Sequence, residues 1–285
     1  MENSPFSVSS ARTMSLRPPA VAGTFYPAAP EELRRAVREA LGPPPPSRER
    51  ALAVIVPHAG YAYSGRVAGA VYARVDLPRD VVLLAFNHRG EGKPFALWPE
   101  GAWRTPLGNV PVEGRLSRAL REEFLPAEFD EAGHRGEHSA EVQLPFLQVL
   151  RPDVRIVPVA LTVGLDDRSF TQLGAFGRAL ARLPGDFLVV ASTDLNHYED
   201  QDTTLRKDAA ALRALERLDG EELRRAIARE GISMCGFAPA LAAAAYARAR
   251  GASSARTVLH ATSAAASGDF ARVVGYAGLI VPFGK

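Results

Sequence analysis

The chain has 285 residues, 34 basic and 32 acidic for a formal net charge of +2, and is 47% hydrophobic. It is long enough for a sizeable core, while the balanced charge offers no basic tract of the kind that binds nucleic acid, and no apolar run reaches the roughly 18 residues that span a bilayer. Nucleic acid and membrane are therefore excluded as expected partners, and a single cysteine, unable to form an internal disulfide, points to a reducing, cytoplasmic setting.

Residues 1–16 read as a polar tail with neither periodicity nor the continuous apolar stretch of a signal peptide, and one domain is expected over 17–285. In PEELRRAVREALG, Leu33, Ala36, Val37, Ala40 and Leu41 share one helical face, and Gly42 is a stop. GPPPPSRER is a stiff linker. The apolar run ALAVIVP is a strand, GRVAGAVYARV a helix and DVVLLAF a second strand. Two-sided apolar strands recur at VRIVPVALTV and DFLVVAS, with helices at AEVQLPFLQVL, at DRSFTQLGAFGRALARL and over 203–218. A helix at EELRRAIARE, a second opened by Cys235, and the paired strands ARTVLHAT and ARVVGYAGLIV follow. This alternation predicts an α/β sandwich around a mostly parallel sheet, with the last two strands as a hairpin at its edge.

In such a fold, residues just past the strand ends converge on one crevice. His58 in VIVPHAGYAYSG and His88 in LLAFNHRG stand at strand ends, and Cys235 stands at a helix start. Two imidazoles and a thiolate would hold zinc, copper or iron in preference to magnesium or calcium, which take oxygen ligands. The plainer alternatives are a capping or carbonyl-bonding His58 and a Cys235 buried as a small hydrophobe. A helix N-terminus would lower the Cys235 pKa and favour the thiolate. GHRGEHSAEVQLPF brings together His134, Glu137, His138 and Glu141, either as a polar site or as a helix start with favourable dipole charges. In ASTDLNHYED, Asp194 and His197 would align if one helical turn separated them, so that the carboxylate orients the imidazole; the alternative is an Asp N-cap beside an exposed histidine. His260 lies among strand residues and is assigned no chemistry. The chain has no Walker loop, no GxGxxG after a strand, no CxxC and no HExxH.

Taken in order, RPPAVAGTFYP, PHAGYAYSG, the strand-end Asn-His, EHSAEVQLPFL, STDLNHY, CGFAPA and SGDFARVVGYAGL resemble the Memo-like family, called protein B of the AmmeMemoRadiSam system in prokaryotes. That family is similar in fold to the class III extradiol dioxygenases, which implies an α/β/α sandwich with its site at strand ends. The resemblance puts His58, His88 and Cys235 at the metal-binding positions, His138 and His197 at acid/base positions, and Asp194 at a position the family fills with the same residue. Iron is the implied metal, with copper or zinc as competitors because a thiolate replaces the dioxygenases' glutamate. The family commonly has Gly-Pro where this chain has Ala85 and Phe86, and a phenylalanine beside a ligand narrows the pocket.

The first functional expectation is a non-haem metal-dependent redox enzyme acting on a small molecule. The second is a metal-binding or interaction module working with AMMECR-type and radical SAM partners, as the resemblance implies. Metal-assisted hydrolysis ranks third, since nothing identifies a scissile substrate.

Overall fold

The computed structural model describes residues 15–283. Its first half runs β1 (Leu16–Arg17), α1 (Pro30–Leu41), β2 (Ala51–Val56), α2 (Tyr61–Tyr72), β3 (Asp80–Phe86), β4 (Phe95–Leu97), β5 (Ala102–Thr105), β6 (Gly108–Pro111), α3 (Gly114–Glu123), β7 (Glu128–Phe129), α4 (Ala132–Arg135) and α5 (Leu144–Leu150). The second half runs β8 (Arg155–Leu161), α6 (Asp167–Arg182), β9 (Phe187–Ser192), β10 (His197–Glu199), α7 (Gln201–Glu216), α8 (Gly220–Glu230), α9 (Phe237–Ala249), β11 (Arg256–Thr262), α10 (Ala264–Ser267) and β12 (Val273–Pro282).

The four long apolar strands form the parallel centre of the main sheet in the order β2, β9, β3, β8. Strands buried on both faces need no polar alternation, and these alternate only in which core they enter. Val82 and Leu84 of β3, with Val189 and Ala191 of β9, face the core built by α6, α7, α8 and α9. Val81, Leu83 and Ala85, with Leu188 and Val190, face α1, α2 and α5. The result is a helix, sheet, helix sandwich with antiparallel margins: β4 runs against β8 and β12 against β2. The expected hairpin closes that second margin, with β12 inside it and β11 at the edge, while β10 pairs with the start of β12.

On the α6 side, the alanines of α9 let the two helices approach closely. A Cβ at Gly177 would lie 2.5 Å from the Ala242 carbonyl oxygen and 2.6 Å from the Ala245 Cβ. On the other side, β1, β5 and β6 make a separate three-stranded sheet, with Trp103 of β5 packed edge to face against Trp98.

Several local readings change. The helix anticipated over AEVQLPFLQVL divides into a 3-10 turn, Glu141–Gln143, followed by α5. Helix α9 begins at Phe237, so Cys235 lies in the approach to it. Asp194 and His197 are not on a helical turn: residues 193–196 are irregular and His197 opens β10. Of the polar tail read over 1–16, residues 1–14 lie outside the described residues, and Leu16 pairs with Ala102. Among the described residues no helix is long and apolar enough to cross a membrane.

Candidate metal centre

The strand order puts the turns after β2, β9 and β3 side by side at one end of the sheet. Pro57 follows the last residue of β2 and delivers His58, 2% exposed, into the crevice. Asn87 follows β3, and its side chain bonds the Glu91 carbonyl at 2.6 Å and accepts the Arg89 N–H at 3.1 Å, shaping the turn that presents His88. His138 arrives from the loop between α4 and the 3-10 turn. Among the described residues, His58, His88 and His138 form a set whose ligand atoms lie within 4.8 Å of one another. Their ring centroids are 5.1, 5.4 and 4.6 Å apart.

Cys235 stands against one member of this set, with Sγ 3.2 Å from His58 Nε2. Gly236 makes the approach feasible, since a Cβ there would lie 2.4 Å from the Ser192 carbonyl oxygen, and its N–H donates to Thr193 Oγ1 at 3.0 Å. The thiol is not activated as a helix N-terminus would suggest. Burial, reinforced by the Asp194 charge, pushes its pKa well up, outweighing the hydrogen bonds from the backbone.

Glu137 is the residue that sequence reasoning left without a role. Its carboxylate accepts the backbone N–H of His88 at 2.6 Å, of Ser139 at 2.7 Å and of His138 at 2.8 Å. It also lies 3.0 Å from His88 Nδ1. A carboxylate can only accept there, so Nδ1 carries the proton and the His88 Nε2 lone pair is free for a metal. Burial opposes this ionisation, but the hydrogen bond and charge of His88, with the charge of His138, bring the Glu137 carboxyl down to about 2. Burial pushes His58 down to about 3, with His88 adding to the effect. His138 falls to about 4 through burial and the nearness of His58. The His58 and His138 imidazoles are thus neutral at physiological pH, the form that ligates metals.

The loop carrying Glu137 and His138 is fastened from the β1 end. Buried Arg17 donates to the carbonyls of His134 at 2.8 Å and Glu137 at 2.5 Å, pairs with Glu141 at 2.6 Å, and lies 4.2 Å over the Trp103 ring. Glu141 also accepts from Tyr26 Oη and from the N–H groups of Ala20 and Val21, so both charges are satisfied internally. It is a fastener rather than a dipole charge. Phe25, the neighbour of Tyr26, packs against the His138 ring at 4.6 Å.

Asp194 accepts the His58 N–H at 2.7 Å, and burial raises its pKa. His197 is oriented by a carbonyl rather than by Asp194: its Nδ1 lies 2.8 Å from the Ser233 oxygen, and its N–H donates to Ser233 Oγ at 2.8 Å. A carbonyl only accepts, so His197 in its neutral form keeps Nε2 as an acceptor. Phe86 packs edge-on to His88 at 4.9 Å and lies 6.2 Å from Phe237, forming an aromatic wall beside the cluster. His260 meets buried Asp208 at 2.8 Å, away from the three imidazoles. Imidazole and thiol donors suit iron, copper or zinc better than a hard alkaline-earth cation.

A family profile described as Memo-like protein matches residues 17–280. A "MEMO1 family protein" of Thermotoga neapolitana is 42% identical over 93% of this chain and 99% of its own length. One from Aquifex aeolicus is 40% identical over 94% of this chain and 99% of its own length. Among solved structures, an uncharacterized protein, JW3007, from Escherichia coli K12 superimposes with a TM-score of 0.54 over 81% of this chain and all of its own, at 13% identity, a likeness of fold alone. By the extent of the profile match and the level of these identities, the chain belongs to the Memo-like family.

Proposed function

We propose that this protein is a non-haem metal-dependent redox enzyme acting on a small molecule, with iron as its metal and copper or zinc as competitors for the site. The observation that carries the reading is the set of three imidazoles whose ligand atoms lie within 4.8 Å, one with its outer nitrogen held by a carboxylate. His58, His88 and His138 are the ligand triad that supports this reading, with the Cys235 thiol standing against His58. An iron or copper ion held there supplies redox chemistry that the side chains themselves lack. The chain's own part is to orient and to move protons. His197, half-buried and fixed through Nδ1, offers Nε2 as a proton acceptor, while Asp194 anchors His58 from below. Phe25 and the Phe86–Phe237 wall restrict water around the cluster. A single cysteine that must stay reduced to ligate supports a cytoplasmic location.

The test is anaerobic purification followed by elemental analysis and an oxygen-uptake assay against redox-active small molecules. Stoichiometric iron with substrate-dependent uptake is expected. A second reading, a non-catalytic module for AMMECR-type and radical SAM partners, is favoured by the exposed aromatics near His197: Tyr198 is 65% and Phe270 58% exposed. Metal-loaded protein that turns nothing over but binds such a partner stoichiometrically would displace the enzyme.

A further inference from the structure

The outer nitrogen of His58, Nδ1, lies 3.0 Å from a hydroxyl, Ser192 Oγ. A hydroxyl can donate or accept, so this contact alone leaves the His58 tautomer open. The surrounding hydrogen bonds close the question. Ser192 Oγ lies 2.6 Å from the Ser139 carbonyl oxygen, which can only accept, so the one hydroxyl proton of Ser192 is spent there. Gln143 Nε2 donates to the Pro57 carbonyl at 2.9 Å and to Ser192 Oγ at 3.0 Å. The reverse orientation of that amide would set two oxygens against each other at Pro57, which fixes its sense, and in that sense Tyr72 Oη donates to the Gln143 oxygen at 3.0 Å. Ser192 Oγ therefore has its proton committed and one lone pair filled by Gln143. The remaining lone pair can only receive a proton from His58.

From this count we infer that Ser192, oriented by Gln143, is a positioning residue that locks His58 as the Nδ1–H tautomer with its Nε2 lone pair turned into the imidazole cluster. All four groups are buried, Gln143 and Tyr72 completely and Ser192 to 1% exposure, so water cannot substitute for any of them. The same lone pair is what Cys235 Sγ meets at 3.2 Å, where the neutral thiol donates to it. The inference deepens the metal reading and rests on it only for its consequence, since the tautomer belongs to the metal-free protein.

Long-range 15N spectra of metal-free protein labelled at histidine, with cobalt(II) titration of the same samples, provide the test. Wild type is expected to show His58 with a protonated Nδ1 and a bare Nε2. Ser192→Ala should populate the other tautomer and weaken cobalt(II) binding about 10- to 100-fold. Ser192→Thr, which keeps the hydroxyl, should restore both, and Gln143→Met should shift both in the direction of Ser192→Ala. A wild-type spectrum with the proton on His58 Nε2 overturns the inference, whether or not any variant folds. So does a folded Ser192→Ala protein with unchanged spectrum and affinity. If wild type binds no cobalt(II), the metal reading falls, while the spectrum still decides the tautomer.

Discussion

At the level of single residues, two side chains of different softness adjoin His58: His138 within the imidazole cluster and Cys235 beside it. Cys235 is a buried thiol that must lose a proton to ligate, whereas His138 is already neutral at physiological pH. Cys235→Ser should therefore lower copper(I) affinity by an order of magnitude or more while leaving iron(II) affinity and thermal stability nearly unchanged, since the hydroxyl is close to isosteric but a poor soft ligand. His138→Gln should do the reverse. Competitive titrations of both ions against both variants check this, and equal losses would make both residues ligands of one ion. His58 and His88 are legible in the sequence because each follows an apolar run of strand length. Their supporting groups are not, because Glu137 is 49 positions from His88 and Ser192 is 134 from His58. The Asp194–His197 pairing fails for a related reason: three-residue spacing orients two side chains together only on a helix, and these residues lead into a strand.

Among elements, the four long strands and the larger helices are readable from apolar runs and helical periodicity, because burial dictates them. The strands β4 to β7 are two to four residues long, too short to carry a period, and β1 exists only because β5 lies beside it. The α6–α9 contact is one of the helix crossings with no room for an added methyl group. Gly177→Ala gains about 1 kcal/mol in helix propensity. It also drives a carbon against the Ala242 carbonyl oxygen at 2.5 Å, where neither rigid helix backbone can yield, and overpacking of this kind costs about 1–3 kcal/mol. The steric term should win, so thermal unfolding is expected to move down by a few degrees, and an upward shift would show that the helices can part at little cost.

For the molecule as a whole, buried neutral histidines make stability depend on acidity. Burial holds His134 at about 4, against the hydrogen bond to the Ala96 carbonyl that favours the charged ring. An unfolded histidine titrates near 6.5, so between those values the unfolded chain binds the proton and the folded chain does not. The stabilisation is fully present above pH 6.5 and is lost as pH falls toward 4, on the order of 3 kcal/mol for this residue. His58 and His138 act in the same direction, and Glu137, held at about 2, extends the loss below pH 4.5. Metal-free protein should show a melting temperature that is nearly flat above pH 7 and falls steeply below 6.5, and His134→Gln should make that fall shallower. The sheet order has a kinetic corollary. With β9 lying between β2 and β3, His58 and His88 sit on strands about 10 Å apart and meet over the end of the strand between them. That meeting exists only after three stretches distant along the chain are in register. A metal ion therefore arrives at a finished sheet and lengthens its lifetime without hastening its birth. Saturating zinc should slow unfolding in denaturant and leave the refolding rate unchanged, whereas faster refolding would mean that the ligands gather before the strands do.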